Sequence, residues 1–334
     1  MKTFMRLVAV VLVFATAACA ATGNDRDLGP LVTESGISFE RNTSFDGEVL
    51  RIELPREDGG TEKFSSGRDE WFSSSWAPFI PNHVGRRWGL IKAASDHTSL
   101  AYAVVSWDND DPTDYLAVGY WLRFPGTVSR RFRSLSDAEN TPFFDGPEVD
   151  PSLPPRLPIS GTATYVGPVG GLYTYRYGSD WIGFEEPVVT EEFQGIMTLS
   201  ADFSDNTVAG CMGCVGDLDI NRQHLYLQLG FRRGEPLSLP TDYEVHFGAT
   251  PINRNGTFEH TDVEVRHPTR PITGSSGFSG GMFSNVPDAD GNPRLAIGLT
   301  RAEFDEADGS QGKFEALFTG LGASLRPTEP SGDR

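Results

Sequence analysis

GTATYVGPVGG, residues 161–171, opens a series of β-strand signals that continues almost to the end of the chain. Thr162, Thr164 and Val166 occupy alternate positions, and alternating β-branched residues are typical of a strand. Glycines stand at both ends of the stretch, and they predict that this short strand leads into a hairpin. The same pattern recurs downstream, so the stretch sets the expectation for the carboxy-terminal half.

Further segments of strand length follow, each bounded by turn residues, at 172–177, 195–203, 243–248, 256–258, 277–283, 295–299 and 312–318. The sequence predicts no helix of useful length between them. Glycines inside neighbouring antiparallel strands permit the close approach and bending that barrel closure requires. We therefore predict an all-β fold whose carboxy-terminal part curls into a barrel, with its last strand ending near Phe318.

Composition bounds the class of protein. A chain of 334 residues suggests two domains, and 37 glycines, 23 prolines and 11% aromatic residues favour many short strands. The formal net charge of −18 is unfavourable for binding nucleic acid or an anionic membrane surface. It favours cationic partners through long-range attraction, although an acidic surface also serves solubility alone.

The amino terminus carries the most specific local signal. Lys2 and Arg6 precede an apolar run at 7–14, which predicts a signal peptide over residues 1–18. Small residues then lead directly to Cys19, as in the bacterial lipoprotein signal, so Cys19 is the predicted lipidation site. Thr16 stands where that signal usually has leucine, which leaves cleavage by an ordinary signal peptidase as the alternative. Several acyl chains, palmitate among them, would anchor the protein stably.

The region between the signal and the barrel divides into three parts. Residues 20–36 are small, polar and acidic, so we expect residues 19–36 to be a lipidated cysteine and a flexible tether. Residues 37–155 form a second β-rich domain in this interpretation. Its acidic stretch 108–114 predicts an exposed hairpin tip, with a calcium loop as the alternative. Aromatic residues between 71 and 88 are either core or a recognition surface, and the sequence does not separate these.

Two further segments differ in composition from the predicted strands. The proline-rich stretch 146–155 predicts a stiff spacer between two domains. The tail 326–334 is polar and predicted to be disordered.

Several motifs resemble, in order and spacing, the transferrin-binding protein B family. They lie at 143–146, 161–167, 195–204, 207–210, 256–258, 277–283 and 312–316. The resemblance implies an amino-terminal handle followed by an eight-stranded antiparallel β-barrel over about 158–320. It also implies a surface lipoprotein of a Gram-negative bacterium that binds a ligand and is not an enzyme. The chain has one handle and one barrel where transferrin receptors carry two lobes, so transferrin itself is not the implied ligand.

Cys211 and Cys214 form a Cys-x-x-Cys pair flanked by glycines. A redox pair would need a helix start, haem attachment would need histidine where Val215 stands, and a zinc knuckle would need more ligands than the isolated His224. In an oxidising compartment the pair predicts a disulfide at a hairpin tip. Cys19 is then the one cysteine without a partner, which agrees with its lipidation.

Other candidate sites are weaker. His246 and His260 lie on neighbouring predicted strands, where they are either a metal or haem pair or plain surface residues. Ser279 slightly resembles a nucleophile elbow, but the strand pattern continues through it where that motif needs a helix. The stretch 288–293 predicts a hairpin turn, with calcium as a second choice. We predict no catalytic residue, no metal and no cofactor.

These observations predict a non-enzymatic lipoprotein of the outer membrane, held by its lipid anchor alone and facing the cell surface or the periplasm. Its expected partner is an unknown protein or small-molecule ligand bound through loops and handle, with no nucleic acid. One alternative is a lipocalin-like carrier of a ligand such as haem, with a barrel mouth lined by Tyr173, Tyr175 and Phe258. The other is a structural envelope lipoprotein with no soluble ligand.

Overall fold

The computed structural model describes residues 38–41, 50–55, 59–66, 86–93, 99–107, 115–124, 135, 138–145, 157–178, 188–222, 239–284, 287 and 290–322. Several sequence predictions lie outside these residues. They are the signal peptide 1–18, Cys19, the tether 20–36, the aromatic residues 71–79, the acidic turn 108–114, the spacer 146–155 and the tail 326–334.

The described residues form β-strands and contain no α-helix, which confirms the all-β class. The strands are β1 (Ser38–Arg41), β2 (Leu50–Pro55), β3 (Thr61–Ser66), β4 (Arg86–Ala93), β5 (Ser99–Trp107), β6 (Tyr115–Arg123), β7 (Glu139–Asp145), β8 (Thr162–Arg176), β9 (Val188–Asp202), β10 (Thr207–Met212), β11 (Asp219–Arg222), β12 (Glu244–Pro251), β13 (Thr257–His260), β14 (Val263–Arg266), β15 (Ile272–Phe283), β16 (Leu295–Glu306) and β17 (Gln311–Gly322).

These strands make three antiparallel sheets. The first joins β1, β2 and β3, and the second joins β4 to β7 in chain order. The third holds ten strands in the order β13-β15-β16-β17-β8-β9-β10-β12-β14, with β11 paired to β9. Strands β1 to β7 thus precede the proline-rich spacer, and β8 to β17 follow it. The domain boundaries proposed from sequence remain a prediction.

The predicted hairpin within residues 161–171 does not form, because β8 runs unbroken from Thr162 to Arg176. Its internal glycines let β17 pass closely. A Cβ atom on Gly167 would overlap the carbonyl oxygen of Thr319, and one on Gly171 would overlap that of Glu315. The glycines therefore mark a close approach between strands and not a turn.

The predicted closed cylinder of eight strands is not seen. The ten-stranded sheet begins at β13 and ends at β14, two strands that only Thr261 and Asp262 separate in sequence. Strand β13 pairs with β15, whereas β14 pairs with β12. Strand β14 contacts β15 but shares no hydrogen-bonded ladder with it. Residues 257–266 thus change partner between β13 and β14, and the sheet is not closed by hydrogen bonds at this point.

The sheet nevertheless curls around one aromatic core. Alternate side chains point inward, and the largest fully buried ones are Tyr165, Tyr173, Tyr175, Tyr243, Phe193, Phe258, Phe283, Phe314 and Phe318. Phe314 stacks on Tyr173 with ring centroids 4.4 Å apart. Phe258 from β13 lies 6.1 Å from Phe247 of β12, so side chains from opposite ends of the sheet order meet. The interior is filled by these rings.

The second sheet packs on the outer face of this curled sheet. Strands β6 and β7 contact β16, and β6 contacts β17. Outward-facing Ile297, Leu299 and Leu317 are accordingly buried to 2% exposure or less. The Asn140 side-chain amide donates to Glu315 Oε2 over 3.0 Å across the contact.

Strand β17 runs to Gly322, four residues beyond the predicted end at Phe318. Its last residues stay in the ladder, because Leu321 pairs with Val166 on one side and Leu295 on the other. Every residue of this last part of β17 is buried. Among the described residues, no helix has the length and hydropathy of a membrane span.

Candidate functional site

A groove on the outer face of the ten-stranded sheet is the candidate ligand site. It has a volume of about 620 Å³ and is called the outer groove here. Its lining comes from five strands and consists of Thr174, Arg176, Val188, Gly274, Ser275, Ser276, Glu303, Phe304, Asp305, Gln311, Gly312 and Lys313. The volume lies within the usual range for small-ligand sites, but this lining is more polar than most.

Strand register explains how residues so distant in sequence meet there. One cross-strand row joins Ser276, Glu303, Lys313 and Thr174 across β15, β16, β17 and β8. A second row, two residues further along each strand, joins Gly274, Asp305, Gln311, Arg176 and Val188. Side chains two residues apart share a face of the sheet, so both rows point outward.

The outer groove separates charges of opposite sign. Strand β16 supplies Glu303 and Asp305, while Arg176 and Lys313 come from β8 and β17. Gln311 Nε2 donates to Asp305 Oδ1 over 2.7 Å, and Lys313 Nζ lies 3.1 Å from Glu315. Among the described residues, the side chains of Arg176 and Glu303 have neither a hydrogen-bond nor an ion-pair partner. The groove therefore offers one cation and one anion to a ligand.

Behind the groove, the interior of the curled sheet ends in a polar cluster around Glu306. The Glu306 side chain is 2% exposed and accepts hydrogen bonds from Tyr175 at 2.9 Å, Tyr243 at 2.5 Å and Arg270 Nη1 at 2.6 Å. Burial raises the pKa of Tyr175 to about 12, and it also raises that of Tyr243. These side chains fill the interior of the curled sheet at this end.

Alkaline titration should unfold the protein while its interior tyrosines ionise. Burial raises the pKa values of Tyr173, Tyr175 and Tyr243 above the ordinary value of 10.0. A folded-state pKa above the unfolded one stabilises the fold below about pH 10, and this stability is lost as the pH rises through about 12. Absorbance at 295 nm and near-ultraviolet circular dichroism should therefore change together in that window. Complete ionisation near pH 10 with the fold intact would contradict this expectation.

The aromatic residues expected at a carrier's mouth lie inside the packed core. Tyr173 and Phe258 are 0% exposed and Tyr175 is 1% exposed. Tyr173 packs against Phe314, while Phe258 packs against Phe283 with centroids 5.5 Å apart. These three side chains line no open barrel mouth, which argues against the carrier alternative.

The two cysteines lie on a different part of the outer face. In the structure Cys211 and Cys214 form a disulfide with Cα atoms 5.8 Å apart, within the range that the bond allows. His246 pairs directly with Cys211 across β10 and β12. Its Nε2 lies 3.8 Å from the Cys211 sulfur and 3.6 Å from the Cys214 sulfur. The sequence analysis named both cysteines and His246, but it paired His246 with His260 and not with the cysteines.

His260 and Ser279 do not join these groups. The partners of His246 are the two cysteines and Glu244, whereas His260 Nε2 bonds the carbonyl oxygen of Asp262 at 2.8 Å. Ser279 is 0% exposed within β15, and its hydroxyl lies 2.9 Å from that of Thr300. The strand continues through Ser279, so the geometry of a nucleophile elbow is not present there.

The turn expected at 288–293 is described in part. Gly291 has φ +83°, and Pro287 and Pro293 close the turn with an antiparallel bridge. The sequence alone does not predict the outer groove, because its residues are spread from Thr174 to Lys313 and only the strand register brings them together.

No protein-family model matches the chain, and neither does any curated protein. Two of the solved structures that align with it are the intact Ap-TbpB with N and C lobes, and a double mutant of the vaccine antigen Transferrin Binding Protein B from Haemophilus parasuis Hp5. Both alignments have 10% identity and a TM-score of 0.33, and they cover 82% of this chain. They cover 52% and 50% of the solved proteins, so this chain spans about half their length. Likeness at this level bears on neither function nor ligand, and the resemblance inferred from motifs stays a prediction.

Proposed function

We propose that this protein is a non-enzymatic envelope lipoprotein that binds its ligand on the outside of the curled β-sheet. The observation that carries the proposal is the contrast between the two faces of that sheet. The inner face is packed with aromatic rings, whereas the outer face bears an open groove of about 620 Å³. Ligand contact therefore falls on the outer face and on the connections that border it.

The chemistry of the outer groove favours a polar ligand that carries both charges. Arg176 pairs with an anionic group, and Glu303, which lies on a strand two positions away in the sheet, pairs with a cationic group. Small residues at 274–276, on the strand next to that of Glu303, leave room for a backbone to approach the groove from that side. An extended segment of a protein partner meets these requirements better than an apolar molecule such as haem or a lipid.

The anchor in this proposal is the acylated Cys19, which places the protein on the outer membrane. The chain has three cysteines, and Cys211 and Cys214 are joined to each other in the structure. Cys19 is then the cysteine left for lipidation, and it directly follows a predicted signal peptide. Several acyl chains on one residue bind a membrane stably, so no spanning segment is needed.

The test compares three forms of the full-length protein expressed in a Gram-negative host. The first is unchanged, the second carries Arg176→Ala with Glu303→Ala, and the third carries Arg254→Ala. Arg254 is an exposed arginine in the turn before β13, at the other end of the sheet, so it is the matched control. Each form is cross-linked on cells and in envelope extract, and the captured partner is identified by mass spectrometry.

We expect one partner to be captured by the unchanged protein and by the Arg254→Ala form, with a loss of about ten-fold or more in the groove variant. Cys19→Ser should move the protein from the membrane fraction to the soluble fraction. Equal capture by all three forms would overturn the groove assignment. Capture of nothing by any form would favour a structural lipoprotein, and co-purified haem or lipid would favour a carrier.

A further inference from the structure

The sulfur atoms of Cys211 and Cys214 and the ring of His246 form a compact group on the outer face. Cys211 and His246 are directly opposite each other in the ladder between β10 and β12. Gly213 has φ +83° and lies against the carbonyl oxygen of Tyr243, which turns the chain so that Cys214 returns toward Cys211. Ligand atoms of all three residues lie within 4.8 Å of one another.

The spacing of these atoms suits a tetrahedral zinc ion. Zinc binds thiolate sulfur at about 2.3 Å and imidazole nitrogen at about 2.0–2.1 Å, which puts the two ligand atoms about 3.6 Å apart. His246 Nε2 lies 3.6 Å from the Cys214 sulfur and 3.8 Å from the Cys211 sulfur. The imidazole nitrogen therefore already has the separation from both sulfurs that one shared zinc ion requires. The disulfide holds the two sulfurs too close together for both to bind that ion.

Glu244 is the carboxylate in contact with this group, and its side chain has to turn from His246 toward the sulfurs to supply a fourth ligand. Its carboxylate oxygen Oε2 lies 2.8 Å from His246 Nε2, two residues away on the same face of β12. The other nearby carboxylate, that of Glu264, accepts two hydrogen bonds from Arg266 at 2.7 and 2.8 Å. Glu244 therefore has the freer carboxylate of the two that flank the histidine.

We propose that Cys211, Cys214 and His246, with Glu244 as fourth ligand, bind one zinc ion when the disulfide is reduced. A dithiol supplies two electrons and two protons, the sulfur-sulfur bond breaks, and the dithiol becomes a disulfide itself. Zinc then displaces the two thiol protons and forms two sulfur-zinc bonds. The oxidised protein binds no zinc here, because a disulfide offers no thiolate. The site thus couples metal occupancy to the redox state of the surroundings.

The experiment uses the purified full-length chain, in its disulfide form and after reduction by a phosphine without oxygen. Zinc is titrated against a chromophoric chelator, and cobalt replaces zinc to give a spectroscopic signature of thiolate ligation. The variants are Cys214→Ser, His246→Ala and Glu244→Gln. His260→Ala is the matched control, since His260 lies on a strand of the same sheet and bonds a backbone carbonyl oxygen. Far-ultraviolet circular dichroism checks that each variant is folded.

The reduced protein should bind one equivalent of zinc and show thiolate-to-cobalt charge transfer in the near ultraviolet, whereas the oxidised protein should show neither. His246→Ala should weaken zinc binding about 100-fold and Glu244→Gln about ten-fold, with His260→Ala unchanged. The proposal is overturned if the folded, reduced protein binds no zinc. It is equally overturned if His246→Ala binds zinc as tightly as His260→Ala does, or if Cys214→Ser, which keeps only one thiolate, retains the cobalt signature at full intensity.

Discussion

Replacing Glu306 by alanine should lower the free energy of unfolding by about 3 kcal/mol or more. The buried carboxylate accepts hydrogen bonds from Tyr175, Tyr243 and Arg270. Its removal leaves two buried hydroxyl groups without this acceptor, and each such loss costs about 1–3 kcal/mol. Arg270 adds less, because its side chain is 37% exposed and water can reach it.

Urea unfolding followed by tryptophan fluorescence measures this effect, and Glu303→Ala is the control. Glu303 lies three residues earlier on the same strand, is exposed and has no partner among the described residues. Its replacement should change stability by no more than about 0.5 kcal/mol. If both variants lost the same stability, the polar cluster would not be what stabilises this end of the interior.

Phe314→Ala should cost about 3–5 kcal/mol, the usual range for removing a buried aromatic side chain. Phe314 is 0% exposed and belongs to the aromatic core inside the curled sheet. It stacks on Tyr173 at 4.4 Å and meets Phe193 edge-on at 5.3 Å, so its loss opens a cavity that several rings border. The rings come from different strands and cannot collapse together without moving the sheet.

The same unfolding measurement checks this expectation, with Ile159→Ala as the control. Ile159 is also a large apolar residue, but it is 95% exposed, and its replacement should be close to neutral. A Phe314→Ala variant as stable as the unchanged protein would show that the interior of the curled sheet is not a packed core.

Alternation along the sequence predicted the strands well, because it reports which residues share a face. The prediction that the glycines of residues 161–171 lead into a hairpin is wrong for a definite reason. Glycine favours turns locally, but here it is required by the close passage of β17 against β8. Strand β17 lies about 150 positions away in sequence, so the residues around these glycines do not indicate its presence.

The candidate sites likewise depend partly on neighbouring residues in sequence, which can be read directly, and partly on strand register, which cannot. The short spacing of Cys211 and Cys214 made their pairing predictable, whereas His246 is opposite them only because of the register of β10 with β12. The outer groove likewise follows from the registers of five strands. A single sequence specifies the period of each strand but leaves its partner and register to the folded chain.

Over part of their length, strands β16 and β17 have no face exposed to solvent. Every residue from Leu295 to Thr300 and from Leu317 to Gly322 is buried, since one face meets the aromatic core and the other is covered. A fluorophore or affinity tag attached anywhere in those stretches would have to be accommodated inside packed protein. Positions 303, 305 and 311 lie a few residues away along the same strands and are exposed. A label attached there would not disturb the packing between the two sheets or the aromatic core.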